Sequence, residues 1–422
     1  MDETSAAMPA GGGTPAPGLE ALRAMPYHDE IIALLRAQEP EAWNWAESAA
    51  AREDRAGEVR AFLLQHTYRL DADAHPQLHA SCAAAAARLG VTAPVTIYQG
   101  SDAQSNAALL YLPGEVHIVF NGSLLERLAG AQLEAVCGHE LAHFLLYERA
   151  GGAWFTATRL LGMAQEDSRS ATSLLETARL FALYTEAFAD RGGAVACGAL
   201  APAVAALVKV QTGLAEVSAA SYLRQADEIC ASLDGRSGAA SHPEVFVRAR
   251  ALRLWCEAQA AGDAAAVAEA DAWLRSVLEG PLTIDRLDLA GQRRLSALTR
   301  RVIGRYLHLP ALHSPALLAC ARQFFQDAAP ASAPDDELRA EIEPAPGVHD
   351  YVAALLLDFA MADRTLDDVP LAQAIALARD LGLPESFERL ATTALKLPKR
   401  QYAKARAEAD AVLARVAETR HE

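Results

Sequence analysis

Gly138 is followed by His139-Glu140-Leu141-Ala142-His143. On a helix, residues four apart stand about 40° apart around the axis, so both imidazoles face one point and can share one zinc ion. Glu140, roughly 100° round from His139, comes close enough to meet a zinc-bound water. The chemistry calls for this grouping. Neutral imidazoles leave the metal Lewis-acidic, and a neighbouring carboxylate takes a proton as the water attacks a carbonyl. The motif also arises by chance in a chain with twelve histidines, and a helix carrying two satisfied histidines is the competing reading.

A catalytic zinc wants three protein ligands and one open position. Thr185-Glu186-Ala187-Phe188-Ala189-Asp190-Arg191 lies in a helical run with Leu180, Leu183 and Tyr184. Glu186 and Asp190 are four apart and share a face. The apolar flanks turn that face into protein, where two acids are costly unless paired or metal-bound. Glu186 can then be the third ligand, and Asp190 can accept the free ring N–H of His139.

HExxH followed by Glu186-Ala-Phe-Ala-Asp190 resembles the HtpX and CAAX-prenyl-protease family of zinc metallopeptidases. Asn106-Ala107 at the entry to a strand, Gly122-Ser-Leu-Leu125, Ala205-Ala-Leu-Val-Lys209, and His242-Pro243 ahead of Arg248 extend the likeness over roughly residues 75–255. The resemblance implies a gluzincin-like core with one zinc per chain on His139, His143 and Glu186, and Glu140 as general base. A substrate strand would lie beside a small sheet, which puts Asn106 and Ala107 at substrate-binding positions. His242, with Arg248, would stabilise the oxyanion or fix Glu186. The competing reading of Ser241 and Glu244 is a capping box, with Arg248 on the surface. Membrane members of the family carry transmembrane helices, often between the second His and the Glu. Here that interval holds Gln165-Glu-Asp-Ser-Arg169, which cannot sit in lipid, so prenylated membrane substrates are not expected.

The elements that must position these residues are mainly helical. Much of the 52% apolar share is alanine, and aromatics are only 6%, which favours close-packed helices over sheets. Residues 21–90 read as helices. Pro94–Tyr98, Ala107–Leu112 and Glu115–Phe120 are short, β-branched or aromatic, and read as about three strands, the last two joined by Pro113-Gly114. Helical patterns fill most of the remainder. The expected organisation is a disordered tail over 1–20, a metallopeptidase domain with N-terminal helices over 21–255, a helical extension over 256–326, a Pro/Ala/acid-rich linker over 327–346 and a C-terminal helical module over 347–422. In that module Tyr351, Leu355, Phe359, Leu371, Ile375 and Ala378 keep helical spacing across two helices joined by Asp363-Arg-Thr-Leu-Asp-Asp368, which weakly resembles a TerB-type domain. Arg364 departs from the glycine usual in that turn.

The net charge of −16 repels phosphate backbones and anionic lipid, so no nucleic-acid partner is expected. No stretch approaches the roughly 20 apolar residues of a membrane span, and the first residues lack the pattern of a secretory signal. Six scattered cysteines without a CxxC pair read as core thiols of a reducing, cytoplasmic compartment. Cys137 projects about 160° from His139 on the helix wheel, towards the core. His75 and His79 read as a surface pair, and the basic residues from Lys396 to Arg406 as a solvated face. The expected function is zinc-dependent endopeptidase hydrolysis of protein or peptide substrates. The alternatives are a zinc-binding, non-catalytic scaffold and an interaction protein that recruits a partner through its C-terminal helices.

Overall fold

The computed structural model describes residues 14–232, 237–325 and 333–418. It is mainly helical, with one small mixed sheet, and divides into two compact units, Met1–Gly280 and Pro281–Glu422. The first unit runs α1 (Pro26–Gln38), α2 (Pro40–Glu47), α3 (Ala49–His66), β1 (Thr67–Arg69), α4 (Pro76–Arg88), β2 (Val95–Gly100), β3 (Ala107–Leu112), β4 (Glu115–Phe120), α5 (Leu124–Arg127), α6 (Ala131–Glu148), α7 (Ala153–Glu166), α8 (Thr172–Cys197), α9 (Leu200–Thr212), α10 (Ala219–Ser232), α11 (Val245–Ala261) and α12 (Ala264–Glu279).

The division falls elsewhere than composition suggests. α11 and α12 both pack on α8, and Trp255 and Leu274 are buried, so the first unit extends past residue 255. It stops where Gly280, at φ 68°, caps α12 ahead of Pro281, a residue that cannot continue a helix. Of the expected linker, residues 327–332 lie outside the described residues, while Asp335–Ile342 is helical, with Leu338 and Ile342 fully buried. Of the expected tail, residues 1–13 lie outside the described residues. Pro15 forms a β-bridge with Ala199, and Leu19–Ala21 is a 3-10 turn.

The sheet has four strands in the order β1-β2-β4-β3. β3 and β4 form a hairpin whose turn places Gly114 at φ 73°, and β2 runs parallel to β4. The fourth strand, β1, is three residues long and pairs antiparallel with β2. It lacked a readable pattern because Tyr68 and Arg69 are exposed and nothing alternates. β4 is central and buried from Val116 to Phe120, covered on one face by Val59 and Leu63 of α3. β3 is an edge strand, and it packs beside α6.

α6 and α8 make the closest helix pair in the unit, and small residues permit the approach. A Cβ on Gly138 would overlap Ala196, one on Gly192 would overlap Ala142, and one on Gly193 would lie 2.7 Å from the Ala135 carbonyl. Bulkier residues would hold the two backbones apart and, with them, whatever side chains the helices present to each other.

The second unit contains α13 (Leu289–Tyr306), α14 (Pro315–Phe324), α15 (Asp335–Ile342), α16 (His349–Met361), α17 (Val369–Asp380), α18 (Pro384–Ala394) and α19 (Lys399–Glu418). It has its own core, in which Leu298, Tyr306, Leu356, Phe359, Ile375 and Phe387 are buried. The acidic turn between α16 and α17 is a short 3-10 segment in which Asp363 accepts from the Thr365 backbone and hydroxyl. No described helix in either unit is long and apolar enough to cross a membrane.

Candidate active site

α6 presents His139, Glu140 and His143, and α8 faces it with Glu186 and Asp190. The glycine contact brings the two sets together. His139 Nε2 lies 3.2 Å from His143 Nε2, and each is 3.5 Å from an oxygen of Glu186. Among the described residues these three form the one group whose ligand atoms could hold a metal ion, all within 4.8 Å of one another. Glu186 Oε2 is buried without a hydrogen bond; Arg248 Nη2 stands 3.2 Å away but is not aligned to donate. Two imidazole nitrogens facing each other beside an unsatisfied carboxylate oxygen leave a centre that lacks a donor. A divalent cation supplies what is missing, and a His2Glu set with an open fourth position suits zinc.

A second layer of charge surrounds this centre. Asp190 Oδ1 is 3.1 Å from His139 Nδ1. Arg248 from α11 donates to the same carboxylate through Nε at 2.8 Å and Nη2 at 2.6 Å. For Asp190, burial works against the charge, but Arg248 and His139 overcome it and hold the carboxyl far below its usual range. The Glu186 carboxyl is likewise lowered against burial, by Arg248 and then the histidines. Burial draws His143 down to about 4. In His139 burial acts the same way, but Asp190 and Glu186 outweigh it and the net shift is upward. Arg248 is therefore not a surface residue. Its guanidinium is buried against two acids, which makes it a clamp on Asp190 and Glu186.

Glu140 is almost fully buried, and burial pushes its carboxyl up to about 7, with His139 opposing. A backbone hydrogen bond from Leu109 on the edge strand ties it to β3. A carboxylate poised near neutrality can both take and return a proton. Asn106 and Ala107, at the head of β3, line the same cleft of about 140 Å3. Its far wall is apolar, formed by Ala203, Leu207 and Val210 of α9 and Leu252 of α11.

His242 stands at the mouth, its side chain 63% exposed, with Nε2 3.6 Å from Glu186 Oε1. The capping box expected of Ser241 and Glu244 does not form. α11 begins at Val245, Ser241 Oγ pairs with His242 Nδ1, and Glu244 accepts from the Gly238 backbone. The expected core neighbours of Cys137 include an unforeseen one: the fully buried thiol interacts with Cys82 of α4.

Sequence reasoning passed over Tyr147 and His28. Tyr147 lies one turn after His143, its ring stacked 6.2 Å away, and burial and then Glu186 push its phenol up to about 12. The i+4 spacing from His143 was the available signal. His28 of α1 is fully buried, and its Nε2 pairs at 3.0 Å with Thr185, the residue before Glu186. Nothing local in the sequence connects positions so far apart.

Residues 72–256 match the profile of peptidase family M48. The matched span contains His139, Glu140, His143, Glu186, Asp190, His242 and Arg248, but not His28, and ends within α11. The match points to a metallopeptidase, a hydrolase acting on peptides or proteins, over this span. No curated protein matches the chain.

Proposed function

We propose that the first unit is a zinc-dependent endopeptidase, with the ion held by His139, His143 and Glu186. The convergence of these side chains on a donor-poor centre, beside a buried carboxylate, carries the reading. Zinc bound there would supply a Lewis acid that polarises the scissile carbonyl and acidifies water. Glu140 takes the proton of the attacking water on its carboxylate and hands it to the leaving amine nitrogen. Asp190 fixes the tautomer of His139 by accepting from Nδ1, and Arg248 holds Asp190 and Glu186 in place. His242, exposed at the mouth, donates to the oxyanion from its imidazole. The peptide lies as an added strand along the free edge of β3, with Asn106 and Ala107 meeting its backbone.

The test combines metal analysis with hydrolysis of an unstructured protein such as casein. Purified protein should carry close to one zinc per chain, and His143→Ala should lose most of it. Glu140→Gln keeps the shape and the ligands but removes the base, so it should retain zinc and lose hydrolysis. Unchanged zinc in His143→Ala would sink the ligand assignment, and near-normal turnover in Glu140→Gln would sink the mechanism. For the second unit, we propose a separate helical module that recruits a protein partner or substrate. Its own buried core supports independence from the peptidase.

A further inference from the structure

The cleft at the metal centre continues into a wider, more polar groove, lined by Ser105, Asn106, Ser123, Arg127, Gln211 and Tyr222. Asn106, Gln211, His242 and Arg248 line both parts, so the groove and the centre are one continuous surface. Arg127 ends α5 and is half-buried in the wall of the groove.

The cations of this unit that lie near its core are mostly spoken for. Arg248 is held by Asp190, Arg179 by Glu176, Arg191 by Asp271 and Arg253 by Asp227. Arg127 has no carboxylate within ion-pair reach among the described residues, and its guanidinium meets only the Ser105 hydroxyl, at 3.5 Å. Of the other charged groups on the groove, Arg248 is neutralised by Asp190, and Glu244 accepts from the Gly238 amide through Oε1 while its Oε2 is buried without a hydrogen bond. Yet Arg127 is held in position. The buried Lys209 donates to its carbonyl at 3.0 Å, and its Nη1 lies 2.7 Å from where a Cβ on Gly213 would stand. Gly213 closes α9 at φ 70°, so the same residue that caps the helix leaves room for the guanidinium.

Resting on the peptidase reading, we propose that Arg127 is a specificity-determining residue that binds a carboxylate of the peptide substrate. The carboxylate comes either from an acidic side chain or from the substrate's C-terminus. A planar guanidinium with free N–H groups in a half-buried wall matches that ligand. Position follows from the strand. Glu140 meets β3 at Leu109, and Ser105 lies four residues before it, just ahead of the strand, at most roughly 13 Å away along the chain. A peptide lying beside β3 therefore brings a group two to four residues from the cleaved bond under Arg127. In a chain with 54 acids and 38 bases, acidic peptides are repelled nearly everywhere else, so an unpaired arginine here discriminates by place.

The test uses the full-length, zinc-loaded chain and two sets of fluorogenic peptides. In the first, blocked at both ends, Glu, Gln or Lys is placed in turn two, three or four residues either side of the cleaved bond. In the second, neutral peptides end at those positions with a free or amidated terminus. At one position, in one set, the carboxylate peptide should exceed its neutral counterpart by about tenfold in kcat/KM, mostly through KM, the scale of hydrogen bonds to a charged group. Arg127→Gln should bring that ratio to about one, Arg127→Lys should keep part of it, and Arg127→Glu should turn the preference towards Lys. Binding of the same peptides to Glu140→Gln, read by fluorescence anisotropy, should show the same order without turnover. A ratio near one at every position in both sets, or a preference that survives Arg127→Gln, overturns the subsite. If no peptide is cleaved, the peptidase reading fails by itself. Binding to Glu140→Gln then still decides Arg127, since binding without charge preference refutes the subsite.

Discussion

At the scale of single residues, the site is an arrangement of buried charges that stabilise one another. Arg248 and His139 hold the Asp190 carboxyl below its usual range against burial, and Asp190 in turn stands 3.1 Å from His139 Nδ1. Asp190→Asn keeps the shape but removes the charge. We expect it to cost on the order of 10–100-fold in zinc affinity or activity, the usual range for a partner of a metal-binding histidine. Competition with a chelator measures the first and peptide hydrolysis the second; no change in either would mean that His139 is oriented by something else. Arg248→Leu should be harsher than Asp190→Asn, because it strands two buried carboxylates rather than neutralising one. The grouping of His139, Glu140 and His143 on one helix face was legible from spacing, since i,i+4 on a helix is a local rule. The engagement of Arg248 was suggested only by the family resemblance, because nothing in its spacing says that its helix turns it inward onto α8.

At the scale of elements, two contacts set the geometry of the site. Gly138 and Gly192 let α6 and α8 approach, and valine at either would wedge the helices apart. Gly192→Val should destabilise the fold by roughly 1–3 kcal/mol, as overpacking does, and also lose zinc under conditions where it remains folded. Retained metal in a folded Gly192→Val would show that α6 and α8 can part without opening the site. The second contact is α1 on α8. Burial draws His28 down to about 3, whereas in the unfolded chain it titrates near 6.5. Between those values the unfolded chain binds the extra proton. Stability is therefore full above about pH 6.5 and falls as the pH drops towards 3, by up to about 1.4 kcal/mol per pH unit. His28→Gln, which lacks a basic nitrogen, should flatten that slope in urea midpoints measured between about pH 4 and 7 with chelator present. An equal slope in the variant would assign the acid sensitivity elsewhere. The helical patterns and the β3–β4 hairpin were readable because they repeat over many residues or carry a turn pair. β1 was not, being three residues with no buried alternation.

At the scale of the molecule, the proposed recruiting role of the second unit can be separated from a merely stabilising one. Cutting the chain after Gly280 removes residues 281–422 and leaves His139, His143 and Glu186, the group that could hold a metal ion. If the unit recruits, zinc content, thermal stability and cleavage of a short peptide should stay near those of the whole chain, while cleavage of the native substrate falls. Unfolding or loss of zinc in the shortened chain would instead make the unit structural. The position of that cut was hidden in the sequence. The compositional cue at 327–346 overlies a helix whose Leu338 and Ile342 are core residues, and the true joint is a lone Gly-Pro step. The packing of α6 on α8 also bears on how a mutational survey of the whole chain would look. Scored by activity alone, positions 138 and 192 would tolerate as little as the histidines, although neither glycine offers an atom to metal or peptide. A map of intolerant positions would then draw the active centre wider along α6 and α8 than it is, and only a survey scored separately for metal content and for folding would shrink it back to the side chains proposed to do the chemistry.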